Sequence, residues 1–223
     1  MPAVPCLYDT RKLAIQGYPF RVLSAKTLPV PNRSEVEMLY LLEDEIQDIV
    51  ENALSEFSKL HTLGLDFNRL TRVRKSWFTG LVKLNFLTLS NNRIAQIDAG
   101  CFEQLKSLLN LNLEHNLLRA VDPVWFAGRV YLSFLFLGYN KAVVVDVTHN
   151  GFRDFSCLGN IGGWIYNRLT HVKQSWFTGL KELGVLTLSN NRIDQIDPGC
   201  FVDMKRLFKL NLQHNQLQRI DSA

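Results

Sequence analysis

Apolar and polar positions along this chain recur at a fixed interval. Leu60, Leu63, Leu65, Leu70 and Val73, with Asn68 among them, are followed by Leu84, Leu87, Leu89, Asn92, Ile94 and Ile97, an interval of 24 residues. The frame continues through Leu108, Leu111, Leu113, Asn116, Leu118 and Val121, then Leu132, Leu135, Leu137 and Asn140. It re-emerges at Asn167, Leu169 and Val172, runs through Leu183, Leu186, Leu188, Asn191, Ile193 and Ile196, and closes on Leu207 to Ile220. Counting the first leucine as position one, the apolar residues at four and six alternate with outward neighbours, which predicts a short strand turning both inward. The asparagine at nine ends the strand, where its amide can pair with backbone groups of adjacent turns. Phe78, Phe102, Phe126, Phe177 and Phe201 recur on the return segment and close the core from the other side. One unit alone cannot bury these faces, so the units must stack.

This spacing resembles the leucine-rich-repeat consensus. It implies an α/β-type leucine-rich-repeat solenoid, a curved right-handed horseshoe with a parallel β-sheet on the concave face and a mostly irregular or short-helical convex side. A longer period agrees: residues 67–122 are nearly repeated at 166–221, offset by 99 residues, which is four intervals of 24 plus three. The expected organisation is a capping region over 1–35 and an array of about eight repeats over 36–223. Its irregular repeat lies near 141–166, where Gly159, Gly162 and Gly163 fall at strand positions. A kink shaping the binding face and a duplication junction filled by Trp164 both fit. Residues 34–50 carry two readings: a repeat beginning at Val36 with Asp44 in the asparagine position, which we favour, and a capped amphipathic helix opened by Ser34-x-x-Glu37. The last repeat is expected to be truncated after Ile220 without a carboxyl cap: either the chain was cut here, or a partner or a second copy in a homodimer covers its open end.

Composition narrows the function without naming it. The excess of 25 basic over 21 acidic residues, net charge +4, is mild and does not call for nucleic acid. No apolar run approaches the roughly 18–20 residues of a membrane span, and the first residues lack an export signal, so either a leader has been removed or the protein is intracellular. Asn32-Arg33-Ser34 is a glycosylation sequon if the protein is secreted. Cys101 and Cys200 share the position held elsewhere by Trp77, Trp125 and Trp176, which marks them as inert core residues about 20 Å apart, beyond the ~7 Å reach of a disulfide. Cys6 and Cys157 are similarly remote, and few or no intramolecular disulfides are expected. The five histidines, at 61, 115, 149, 171 and 214, have no metal-ligand spacing. No cofactor, metal site or catalytic constellation is expected, and the chain reads as a non-enzyme.

A partner would meet the outward positions three, five, seven and eight of each repeat. Phe134, Phe136, Tyr139 and Tyr166 form an expected aromatic island mid-face, with Phe86, Asn110, Asn112, Glu114 and Thr187 around it. Arg69, Arg93, Arg168 and Arg192 follow the asparagines along one flank; they would grip an anionic ligand, or else pair with nearby acids such as Asp98 or Asp197.

The segment from Val36 to Ile49, VEMLYLLEDEIQDI, preceded by Leu-Pro-Val-Pro, resembles the first repeat of the variable lymphocyte receptors. The 24-residue modules with Gly-x-Phe or Trp-Phe return segments resemble the same extracellular class, from Leu28 to Ile220. That family implies antigen or other protein or glycan capture on the concave face, outside the cell or on its surface. Its amino cap is disulfide-stapled, which Cys6 alone cannot reproduce. A matrix or cell-surface adhesion protein binding acidic glycans and an intracellular scaffold are the alternatives.

Overall fold

The computed structural model describes residues 11–28, 30–126, 132–142, 144–145, 160–161, 164–178 and 180–218. Gly159, Gly162, Gly163, Cys6, Cys157, His149 and Ile220 lie outside them. Among the described residues, nine parallel strands form one sheet in chain order: Lys12–Gln16, Met38–Leu42, Thr62–Gly64, Phe86–Thr88, Asn110–Asn112, Phe134–Phe136, Asn160–Ile161, Val185–Thr187 and Lys209–Asn211. Consecutive turns stay in register, so Leu39, Leu63, Leu87, Leu111 and Leu135 face one another across the ladder and are all buried. The solenoid follows directly: each turn supplies two inward leucines, and only a stacked neighbour removes them from water.

The capped amphipathic helix weighed for residues 34–50 does not form. A 3-10 turn over Arg33–Glu35 leads into the strand Met38–Leu42, which buries Leu39 and Leu41 and leaves Met38, Tyr40 and Leu42 half-buried. The period of two wins over the helical period because the sheet supplies a partner on each side. One partner is the strand Lys12–Gln16, which lies within the expected capping region and pairs Leu13 with Leu39 and Ile15 with Leu41. Its signal, the alternation in KLAIQ, stands 26 residues before Met38 and so falls outside a search at 24. Arg33 ties the neighbouring loop together: its largely buried guanidinium donates to the carbonyls of Ala25 and Leu28 and meets Glu56 at 3.1 Å.

The convex side alternates two return segments. Among the described residues, three return segments carry a 3-10 piece, at Lys75–Phe78, Pro123–Phe126 and Gln174–Trp176, with Trp77, Trp125 and Trp176 buried. The intervening turns at Gly100 and Gly199 have φ of 62° and 71°, a left-handed conformation that glycine adopts freely, and bury Cys101 and Cys200 at the tryptophan position. Phe78 packs on Phe102 at 5.8 Å and Phe177 on Phe201 at 6.1 Å, so these rings run as a spine along the array. Both thiols are free, and burial pushes Cys101 far up and Cys200 to about 11, which leaves them protonated and unreactive.

The asparagines form a second ladder. In Asn92, Oδ1 accepts the Leu70 N–H at 3.0 Å, while Nδ2 donates to the Leu65, Leu89 and Ser90 carbonyls. Asn116, Asn140 and Asn191 repeat the pattern with their own neighbours. Asp44 keeps only half of it: Oδ1 accepts the Tyr18 N–H at 2.7 Å, and buried Oδ2 has no partner.

On either side of the irregular repeat the described residues keep the asparagine ladder. Asn167 accepts the Ala142 N–H, restoring the ladder across 25 residues where its neighbours span 22. Ile161 pairs with Leu186, whereas Trp164 donates to the carbonyl of Thr187, so the register moves by one residue between them. Trp164 occupies the sixth-position leucine site and packs edge-on against Trp176 at 5.7 Å and over Phe177 at 5.8 Å.

Candidate ligand-binding face

The outward side chains at positions three and five form a groove across the early strands. It encloses about 510 Å³ and is lined by Met38, Tyr40, Thr62, Phe86, Leu87, Thr88, Asn110, Asn112 and Phe136. Gly64 shapes it: a Cβ there would lie 2.6 Å from Cδ1 of Tyr40, so the missing side chain is what lets that ring lie across the next strand. Phe86 is 48% exposed beside these groups, an apolar surface that the fold leaves in water. Met38, Tyr40 and Thr62 escaped selection from the sequence because their importance depends on an empty neighbour at Gly64.

The expected aromatic island divides in two. Phe134 and Phe136 stack at 6.4 Å with nearly parallel rings, and Phe136 lines the groove. Tyr139 and Tyr166 stack at 4.6 Å and continue into His115, 4.1 Å from Tyr139, beside a different cleft on the flank. Backbone geometry separates the two sets. Phe67, Asn91, His115, Tyr139, Tyr166, Asn190 and His214, all at position eight, have φ between 53° and 57°. This left-handed step turns the chain off the sheet, and in the first six of them the N–H is held by a carbonyl of the next turn, as Tyr139 is by Ile165 at 2.8 Å.

Position seven is not uniformly outward. Ser90 and Ser189 are buried, and Asp66 accepts from the Thr88 and Ser90 hydroxyls and the Ser90 N–H. Glu114 is half-buried, with burial holding its carboxyl above the usual range. Thr187 is half-buried on the far side of the junction and does not line the groove.

The arginine flank also divides. Arg69 pairs with Glu45 at 2.6 Å, whereas Asp98 is taken by Arg72 and Asp197 by His171, so neither expected acid serves this row. Arg93, Arg168 and Arg192 are exposed and have no ion-pair partner among the described residues. Asn32 is exposed at the start of the Arg33–Glu35 turn, compatible with modification.

The family model described as Leucine rich repeat matches residues 58–118, 82–142 and 166–217, overlapping spans that take in more than half of the chain. The chain belongs to the leucine-rich-repeat family. Leucine-rich repeats and immunoglobulin-like domains protein 2 from mouse is 36% identical over 73 residues, and the human protein is 35% identical over 68. These matches cover 33% and 30% of this chain and only 6% of either relative. Among solved structures, a TLR13–ssRNA13 complex aligns with a TM-score of 0.78 at 24% identity, over 88% of this chain and 26% of that one. The leucine-rich repeat domain of APL1B aligns at 0.68 and 24% identity (82% and 51%), and an internalin of Listeria monocytogenes at 0.60 and 20% (85% and 54%). These likenesses establish the parallel-sheet solenoid. A leucine-rich-repeat array fits a non-enzymatic, ligand-binding role. Among the described residues there is no group of three His, Cys, Asp or Glu that could hold a metal, and no helix long and apolar enough to cross a membrane.

Proposed function

We infer that this leucine-rich-repeat protein is a recognition module resembling the variable lymphocyte receptors, acting outside the cell and binding a protein ligand on its sheet. The observation that carries the reading is the groove of Met38, Tyr40, Phe86 and Phe136, an apolar floor with Thr62, Asn110 and Asn112 beside it. Exposed aromatics next to hydrogen-bonding groups are the composition of a binding hot spot. Because the strand backbones are committed to the ladder, these side chains can change without disturbing the core, which is what a receptor of variable specificity requires. Relatives bearing immunoglobulin-like domains by name, and a TLR13 crystallised in complex with ssRNA13, support use of this scaffold for recognition.

The test is a double variant, Phe86→Ser with Phe136→Ser, expressed through the secretory pathway beside the wild type. Extracellular proteins retained by the wild-type protein should be lost by the variant, with melting temperatures within about 2 °C of each other. An Asn32→Gln variant should remove a glycan mass. Identical capture by both proteins, or a wild type without a glycan at Asn32, would count against the reading.

A further inference from the structure

We propose that the flank cleft beside the Tyr139–Tyr166 stack is a second binding site, for a sulfated polysaccharide. The cleft encloses about 510 Å³ beside His115, Tyr139 and Tyr166, with Lys141, Arg168 and Arg192 along it and no carboxylate in its lining. Three consecutive turns thus each contribute one exposed cation, and none of the three has an ion-pair partner among the described residues. Arg69, on the same row, is neutralised by Glu45. Arg93 is also unpaired among the described residues but stands two turns before Lys141, outside the cleft, so three of the row's four unpaired cations line the cleft beside the aromatic column.

The geometry of the column selects among anions. His115, Tyr139 and Tyr166 stack on one another at 4.1 and 4.6 Å, so the faces between them are already used. A nucleic-acid base needs an open ring face and could enter between these rings only by breaking the stack. The exposed ring edges instead carry phenolic hydroxyls, which both donate and accept and so suit the hydroxyls of a sugar. The cations recur once per turn, about 4.7–5 Å apart, whereas an extended acidic peptide repeats its same-side carboxylates about every 6.6–6.8 Å and drifts out of step with the row. Sulfates on a polysaccharide are dense enough to meet every turn, and a guanidinium takes such an oxyanion through two parallel N–H bonds.

The probe is a heparin-type octasaccharide, with its desulfated counterpart, a poly-glutamate peptide and a single-stranded RNA of similar length as competitors. Calorimetry on the whole chain should register the sulfated sugar at about 150 mM salt, with affinity falling several-fold when salt is doubled. Arg168→Ser with Arg192→Ser should weaken binding about tenfold or more, Arg69→Ser less than about twofold, and no variant should lose melting temperature, since all three side chains are exposed. The Phe86/Phe136 variant should bind the sugar unchanged, so failure here is separable from failure of the protein-binding face. The proposal is overturned if the desulfated sugar, the peptide or the RNA binds as tightly, if Arg69→Ser weakens binding as much as the Arg168/Arg192 pair, or if no sugar binds at low salt.

Discussion

Asp44 occupies the position where the following turns carry an asparagine, and the exchange removes a donor from a buried site. The ladder asparagines give their Nδ2 hydrogens to carbonyls of two turns; Asp44 sets an oxygen there, fully shielded and unpaired. Burial raises its carboxyl to about 6, opposed in part by the Tyr18 N–H and assisted by the negative charge of Glu43. A carboxyl raised in the folded state favours the protonated fold. The destabilisation is therefore absent below the unfolded value of 3.8, grows between there and about 6, and is complete above. Asp44→Asn supplies the missing donor without a charge. We expect a gain of roughly 1–3 kcal/mol near pH ~7.5 that shrinks as pH falls towards ~4, read as the melting-temperature difference between variant and wild type. A difference independent of pH would show that Asp44 does not titrate in this window.

Between turns, the junction depends on an exchange of volume. The eleventh position holds Leu70, Ile94, Leu118, Leu169 and Ile193, but Ala142 at the junction, while the sixth-position leucine of the next turn is Trp164. Ala142 and Trp164 line the same tight gap with Leu118, Leu137 and Leu169. The large ring fills what the small one leaves. Trp164→Leu alone should cost about 2–4 kcal/mol, and Ala142→Leu alone about 1–3 kcal/mol through overpacking. Combined, they should recover about 1–2 kcal/mol relative to the sum, measured in a double-mutant cycle by denaturant unfolding. Strict additivity would mean that the two sites do not share their space. The exchange was half legible beforehand: Trp164 announces itself as surplus volume, but its partner is an ordinary alanine. The same limit governs the binding face. Outward positions follow from the period of two, yet the split between groove and flank comes from the left-handed step at position eight, which a mixed set of Phe, Asn, His and Tyr does not advertise. Ion pairing was equally hidden, because Arg69, Arg93, Arg168 and Arg192 look alike in sequence and differ only in whether an acid such as Glu45 stands within reach.

Across the described array, each sheet strand is hydrogen-bonded only to its neighbours in chain order, so stability is close to a sum of nearest-neighbour terms and the ends need not be equal. Among the described residues the first strand stands at the sheet edge, yet Leu13 and Ile15 are 4% and 2% exposed, in one core with Phe20, Leu28 and Val30, and Arg33 secures the loop that carries Leu28. At the last strand, Leu210 is 38% exposed and Phe208 81%, and among the described residues no further turn lies against them. Opening of the last turn therefore exposes little new apolar surface, while opening of the first exposes a great deal. For this chain, amide hydrogen exchange should follow the asymmetry. Protection should be lowest at Lys209–Asn211, rise through Val185–Thr187, and reach the global value by Asn110–Asn112, with Lys12–Gln16 much closer to that value than Lys209–Asn211. Equal protection at the two edges would mean that the inner contacts of the first strand do not lock it. A single uniform value throughout would mean that the turns do not act as separable neighbours, and the stacked-repeat account of the stability would fail with it.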